Sequence, residues 1–184
     1  PMTLHHDDGR TFEGDPRHAL SAVVDRYAAN GWRVEAAFEM EFYLLSATTP
    51  ELVPLWSGRP GGNTLSVTAL DEAEAFFNDL YAGAEAMGLD IGDAISEAGA
   101  GQFEVTLTHT DPLAVADSAW LFRMLTEGLA RKHGATATFA PKPFAEQTGT
   151  GLHVHFSLWD QKSDRNLFDD GETGSEMLRQ SVAG

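Results

Sequence analysis

Cysteine is absent from the 184 residues. Disulfides and thiolate metal ligands are therefore excluded, and any bound metal must be held by oxygen and imidazole nitrogen. Positive charge is scarce: 12 Lys and Arg stand against 28 Asp and Glu, a formal net charge of −16. Such a chain lacks the basic footprint on which nucleic-acid binding rests, and an anionic membrane surface would repel it. The same charge does not exclude a nucleotide, because a bound divalent cation reverses the local field. No apolar run reaches the ~20 residues that cross a bilayer. The opening Pro1-Met2-Thr3-Leu4-His5-His6-Asp7-Asp8 has neither the charged nor the apolar region of a secretory signal, so a cytoplasmic location is expected. What remains is a mixed composition, 42% hydrophobic, long enough for one ordinary domain with a core.

The chain shows no internal repeat and no long linker. Residues 1–14 read as a strand end followed by the turn Asp7-Asp8-Gly9. Asp15 with Pro16 starts a helix that carries Leu20, Val23, Val24 and Tyr27 at helical spacing and stops at Gly31. A long strand follows from about Arg33 to Ser46. Residues 47–63, rich in Pro, Gly and Thr, read as a loop, and Leu65 to Ala69 as a short extended piece. Asp71 with Glu74 resembles a capping box for a helix through Phe76, Phe77, Leu80, Tyr81 and Met87 that ends at Gly88. Strands near 89–97 and 102–109 flank Ala98-Gly99-Ala100-Gly101. Asp111-Pro112 starts a second long helix, which runs to His133 and ends at Gly134, with Arg131, Lys132 and His133 suited to its C-terminal dipole. Residues 135–140 read as β, Pro141-Lys142-Pro143 as the start of a loop, 160–171 as polar turns, and Ser175 onward as a helix. This order of elements predicts an α+β fold, an antiparallel sheet with a polar metal-binding face, backed by helices.

Three strand-like stretches alternate apolar and chemical residues. In Ala37-Phe38-Glu39-Met40-Glu41-Phe42-Tyr43, Glu39 and Glu41 share one face and Phe38, Met40 and Phe42 the other. In Gln102-Phe103-Glu104-Val105-Thr106-Leu107, Gln102, Glu104 and Thr106 oppose an apolar back. In Gly151-Leu152-His153-Val154-His155-Phe156-Ser157-Leu158, the pattern puts His153, His155 and Ser157 forward and turns Leu152, Val154, Phe156 and Leu158 to the core. Crowded carboxylates repel one another and resist ionisation, and a cation removes that cost. Oxygen ligands with little nitrogen suit Mg²⁺ or Mn²⁺ better than Zn²⁺. Glu39, Glu41, Glu97, Glu104 and His153 exceed the needs of one hard ion, so two ions are expected, an arrangement common in phosphoryl transfer. Taken singly, two glutamates on a strand are more often a solvated face, a His-x-His strand is as often packing as ligation, and Lys142 reads as solvated. The coincidence of three such strands is what argues for a site.

These segments, in this order, resemble the catalytic domain of the glutamine synthetase family. Glu39-Met40-Glu41-Phe42-Tyr43-Leu44 is similar to its Glu-x-Glu-Phe strand. Glu97-Ala98-Gly99-Ala100-Gly101-Gln102-Phe103-Glu104 is similar to its paired-glutamate segment. Phe139-Ala140-Pro141-Lys142-Pro143 with Gly149-Thr150-Gly151-Leu152-His153-Val154-His155-Phe156-Ser157 resembles its Lys-Pro loop and His-x-His-x-Ser strand. The resemblance implies ATP-dependent joining of ammonia or an organic amine to the γ-carboxylate of glutamate through γ-glutamyl phosphate. It implies one metal at Glu41, Glu97 and Glu104 and another at Glu39 and His153, with Glu41, Glu104 and His153 at the catalytic centre. His155 and Ser157 match positions near the nucleotide, and Thr148 and Gly149 match positions that contact the amino-acid substrate. Thr148 stands where the family has asparagine, and Gly92 where ammonia-using bacterial enzymes have a glutamate that helps hold ATP. The Glu39-Met40-Glu41-Phe42-Tyr43 strand, Ile95-Ser96-Glu97 and Ala130-Arg131-Lys132-His133-Gly134 look more like the γ-glutamylpolyamine synthetase branch, which joins glutamate to an organic amine.

The start reads as mid-strand and the end, Leu178-Arg179-Gln180-Ser181-Val182-Ala183-Gly184, as mid-helix. The resemblance accordingly implies a stretch truncated at both ends. Residues 1–14 would be a remnant of the family's N-terminal β-grasp domain, and 15–184 the N-terminal part of its catalytic domain. The family's homo-oligomeric rings complete each active site from a neighbour, so this stretch alone is expected to be an inactive fragment. Two other readings compete. One is a non-catalytic member of the family that binds or regulates. The other is a cupin-type oxygenase, but cupins place a glutamate shortly after the second His, and Phe156-Ser157-Leu158-Trp159-Asp160 does not.

Overall fold

The computed structural model describes residues 1–47, 53–55 and 63–183. The loop expected over 47–63 falls largely outside them. The elements run α1 (Pro16–Ala29), β1 (Trp32–Ser46), α2 (Val67–Glu72), α3 (Glu74–Met87), β2 (Ile91–Ser96), β3 (Gln102–Thr110), α4 (Pro112–Lys132), β4 (Ala135–Thr138), β5 (Leu152–Asp160), β6 (Arg165–Asn166) and α5 (Glu176–Ala183). The strands form one six-stranded sheet in the order β2-β3-β1-β5-β6, with β4 also pairing β1. The pairs β1–β4, β2–β3 and β5–β6 are antiparallel. This is the α+β architecture anticipated from the element order. Among the described residues no helix is long and apolar enough to cross a membrane.

The chain divides into two compact units. One comprises Phe38–Thr108 and Ser118–Val154. Its core is aromatic: Phe42 of β1 lies 6.3 Å from each of Phe76, Phe103 and Phe122 and 5.5 Å from Phe139, measured between ring centroids. Phe42, Phe76 and Phe122 are wholly buried, as are Tyr43, Leu44, Leu80, Val105 and Leu107. Removing a ring from the middle of such a cluster costs about 3–5 kcal/mol, because the transfer energy is lost and a cavity is left. Thus the apolar backs of β1 and β3 are held by α3 and α4, and the acidic fronts face away from that core.

The other unit comprises Pro1–Ala37, His109–Asp117 and His155–Gly184. Asp15 caps α1 by accepting from the Arg17 amide at 3.0 Å, with Pro16 at the first helical position. Polar bonds do much of the joining. Arg17 pairs with Asp117 at 3.1 Å, and Arg33 reaches Asp164 at 2.7 Å while its guanidinium lies 5.4 Å over the Trp159 ring. Ser175 caps α5, its hydroxyl accepting from the Leu178 amide at 3.2 Å.

Three local expectations are corrected. Leu65–Ala69 is not extended: Ser66 accepts from the Ala69 amide and caps α2, whose first residue is Val67. Asp71 and Glu74 form no capping box, because Asp71 lies inside α2 and α3 begins after Ala73 with no side-chain cap. A serine one turn earlier takes the capping role, and the short helix ends before the aromatic run begins. Finally, Leu152, Val154 and Phe156 do not face a core. They remain about half exposed, and only Leu158 of that row is buried. Alternation separates two faces of a strand, but it does not say which face is covered.

Candidate metal centre

β3, β1 and β5 are consecutive in the sheet order. Each contributes acid or imidazole to one side, because residues two apart in a strand project together. Glu39 comes from β1, Glu104 from β3 and His153 from β5. His153 Nδ1 stands 3.0 Å from Glu39 Oε2 and 3.9 Å from Glu104 Oε2. One potential ligand atom from each of the three lies within 4.8 Å of the other two. The side chain of Glu104 is 11% exposed and that of His153 is 60% exposed, so the cluster has a carboxylate floor and an imidazole lip open to solvent.

Burial, and then the charges of Glu39, Glu97 and Glu41, push the Glu104 carboxyl above its ordinary range, with His153 pulling it partly back. The ionised form is therefore held at a cost, which a cation would relieve. Two carboxylate oxygens and one imidazole nitrogen suit a divalent cation of the Mg²⁺ or Mn²⁺ type, whose remaining positions water or substrate oxygens can fill. The donor set present thus fits such an ion.

Glu41 and Glu97 are placed differently. Glu41 is buried, and its Oε2 accepts from the side-chain amide of Gln102 and from the backbone amide of Gly151, each at 2.8 Å. A side chain at Gly151 would displace the Glu41 carboxylate: a Cβ would stand 2.6 Å from Glu41 Oε1 and 3.3 Å from His153 Cε1. Glu97 lies in the β2–β3 hairpin, where its amide donates to the Gln102 carbonyl at 2.9 Å and its carboxylate accepts from the Ala98 amide at 3.3 Å. Neither joins the three-residue cluster. The resemblance divided Glu104 from Glu39 and His153 between two metals, whereas here these three lie together.

The loop ahead of β5 is tied down. The Thr148 hydroxyl donates to Gln102 Oε1 at 2.6 Å, and its carbonyl accepts from the Tyr43 hydroxyl at 2.7 Å. Burial raises the Tyr43 pKa, keeping that group a donor. The Gly149 carbonyl accepts from Gln102 Nε2 at 2.8 Å, and Lys142 donates to the Gln147 carbonyl. His155 and Ser157 belong to the other unit. There His155 is exposed, and Ser157 is half-buried and accepts from the Trp159 indole at 2.9 Å. Gln102 was visible in sequence as the front-face partner of Glu104. Its contacts with four other residues were not, because they come from segments up to 61 positions away.

Comparison with known proteins bears on what such a face belongs to. Residues 13–184 match the family described as "Glutamine synthetase, catalytic domain". The chain is 34% identical to the glutamine synthetase of Thermus thermophilus over 168 residues, covering 91% of this chain and 37% of that protein. It is 32% identical to the gamma-glutamylputrescine synthetase of Escherichia coli, covering 100% of this chain and 41% of that one. Among solved structures, a "GmaS/ADP complex" superposes with a TM-score of 0.82 at 30% identity, over 94% of this chain and 40% of the other. The chain therefore spans about two fifths of the length of these curated relatives. A catalytic-domain match over nearly every residue, in a fold shared with solved relatives, means that the chain belongs to the glutamine synthetase family of ligases.

Proposed function

We propose that the acidic face serves an ATP-dependent ligase that joins an amine to the γ-carboxylate of glutamate through γ-glutamyl phosphate. The observation that carries this reading is the Glu39–Glu104–His153 cluster on a family-matched sheet. Glu39, Glu104 and His153 would hold one Mg²⁺ or Mn²⁺, with Glu41 and Glu97 on the same face available to a second. Such ions would neutralise charge on the transferring phosphate and so make it open to attack. The chain's own residues orient and shield. Two N–H bonds hold the Glu41 carboxylate in place, the half-open imidazole of His153 borders the entrance, and Thr148 and Gly149 shape the edge where the amino acid would lie. His155 and Ser157 are assigned to the nucleotide.

The acceptor is either ammonia or an organic amine, since the relatives include enzymes named for glutamine and for gamma-glutamylputrescine. We also assign residues 1–14 to the end of a β-grasp domain, the protein to the cytoplasm, and its assembly to a homo-oligomeric ring. Because the 184 residues span about two fifths of the relatives' length, they should show little or no ligase turnover by themselves.

Calorimetric titration of Mn²⁺ into the chain tests the reading. Binding that disappears in the Glu39→Ala, Glu104→Ala double variant supports it, and absence of binding in a folded wild-type chain counts against it. Glutamate-dependent ADP release, screened with ammonia, a monoamine and a diamine, should stay at background. Robust turnover would refute the fragment assignment while supporting the ligase.

A further inference from the structure

Gln102 is the most heavily used polar side chain next to the acidic face, and it is only 2% exposed. A primary amide has two N–H donors and one oxygen with two lone pairs. All four capacities are taken. Nε2 donates to Glu41 Oε2 and to the Gly149 carbonyl, both at 2.8 Å. Oε1 accepts from the Gly99 amide at 3.0 Å and from the Thr148 hydroxyl at 2.6 Å. The amide cannot be flipped, because the Gly99 N–H can only donate and the Gly149 carbonyl can only accept. One side chain thus joins β1, the β2–β3 turn and the loop before β5. The backbone adds two further ties: Gly151 N–H donates to the same Glu41 oxygen at 2.8 Å, and Tyr43, two residues along β1, donates to the Thr148 carbonyl at 2.7 Å.

Two consequences follow from this network. Both N–H bonds to Glu41 converge on Oε2, so Oε1 is the oxygen left for a cation. The Thr148 hydroxyl gives its one proton to Gln102, and its oxygen also lies 3.2 Å from the Tyr43 hydroxyl, so its hydrogen bonds point into this network. We propose that Gln102 is a positioning residue that couples the Thr148–Gly149 loop to the Glu41 carboxylate, so that substrate loop and metal face move as one piece, and that Thr148 acts as a pin on this network rather than as a substrate contact. The inference rests on the metal-dependent reading above.

Partners that orient a metal ligand typically change metal affinity about 10–100-fold when removed. The experiment is Mn²⁺ calorimetry on the chain carrying Gln102→Leu, Thr148→Val or Thr148→Ser, with circular dichroism and thermal melting run alongside. Gln102→Leu should keep the fold and lose about tenfold or more in Mn²⁺ affinity. Thr148→Val, a near-isosteric change at a residue that ligates nothing, should weaken Mn²⁺ several-fold, and Thr148→Ser should restore it. A merely structural role for the hydroxyl would lower the melting temperature without moving the affinity. Wild-type affinity in a folded Gln102→Leu chain overturns the proposal. If that variant does not fold, unchanged affinity in Thr148→Val overturns it instead. A wild-type chain that fails to bind Mn²⁺ refutes the metal reading itself and this inference with it, which separates the two failures.

Discussion

At the scale of single residues, close approach decides what is allowed. Gly101 ends the β2–β3 turn at φ +70°, and a Cβ there would stand 2.5 Å from the Leu55 carbonyl and 2.9 Å from that of Leu44. Its own carbonyl accepts from the Leu44 amide at 2.8 Å, binding the turn to β1. Gly101→Ala should therefore destabilise the chain by about 1–3 kcal/mol, from the left-handed backbone and the crowding together, as read by urea denaturation. An unchanged midpoint would mean that the turn can relax away from β1. The sequence called for glycine here through its Gly-Ala-Gly spacing. It could not name the carbonyls that crowd the position, since these belong to segments more than 40 positions earlier.

At the scale of elements, charge joins the interior of α3 to the C-terminal end of α4. Asp79 of α3 accepts from Lys132 at 2.7 Å and from His133 at 3.0 Å. Lys132 first, then His133, hold the Asp79 carboxyl below its ordinary value of 3.8. A lowered folded-state pKa means stability that is present above the unfolded value and lost as pH falls through the folded one. Melting temperature should accordingly fall in the acid range below about pH 4, and Asp79→Asn should flatten that part of the profile while lowering stability near neutrality. Identical acid limbs in the two proteins would show that the pair is too solvated to matter. Arg131, Lys132 and His133 read in sequence as partners of the helix dipole. The structure adds a specific acceptor on another helix, which spacing along α4 could not reveal.

At the scale of the whole molecule, net charge is the dominant fact. A chain at −16 repels itself when compact, and salt screens that repulsion with a Debye length of about 10 Å at 0.1 M. Raising NaCl from about 10 mM to about 200 mM should raise the melting temperature, and divalent cations should do so at far lower concentration if they bind the acidic face. Equal effects of Mg²⁺ and NaCl at matched ionic strength would point to screening alone. The sequence by itself determined the α+β class, most helix bounds and the chemistry of three strand fronts. Caps, glycine stops and two-residue alternation are local signals that act through the backbone of their own segment. It did not determine that α2 would replace an extended piece at Val67, that Leu152, Val154 and Phe156 would stay half exposed, or that Glu104 would gather with Glu39 and His153 while Glu41 turned its Oε2 to Gln102. These were decided by tertiary structure, because each depends on which distant segment covers a face or supplies a hydrogen bond, and no periodicity within one strand carries that information.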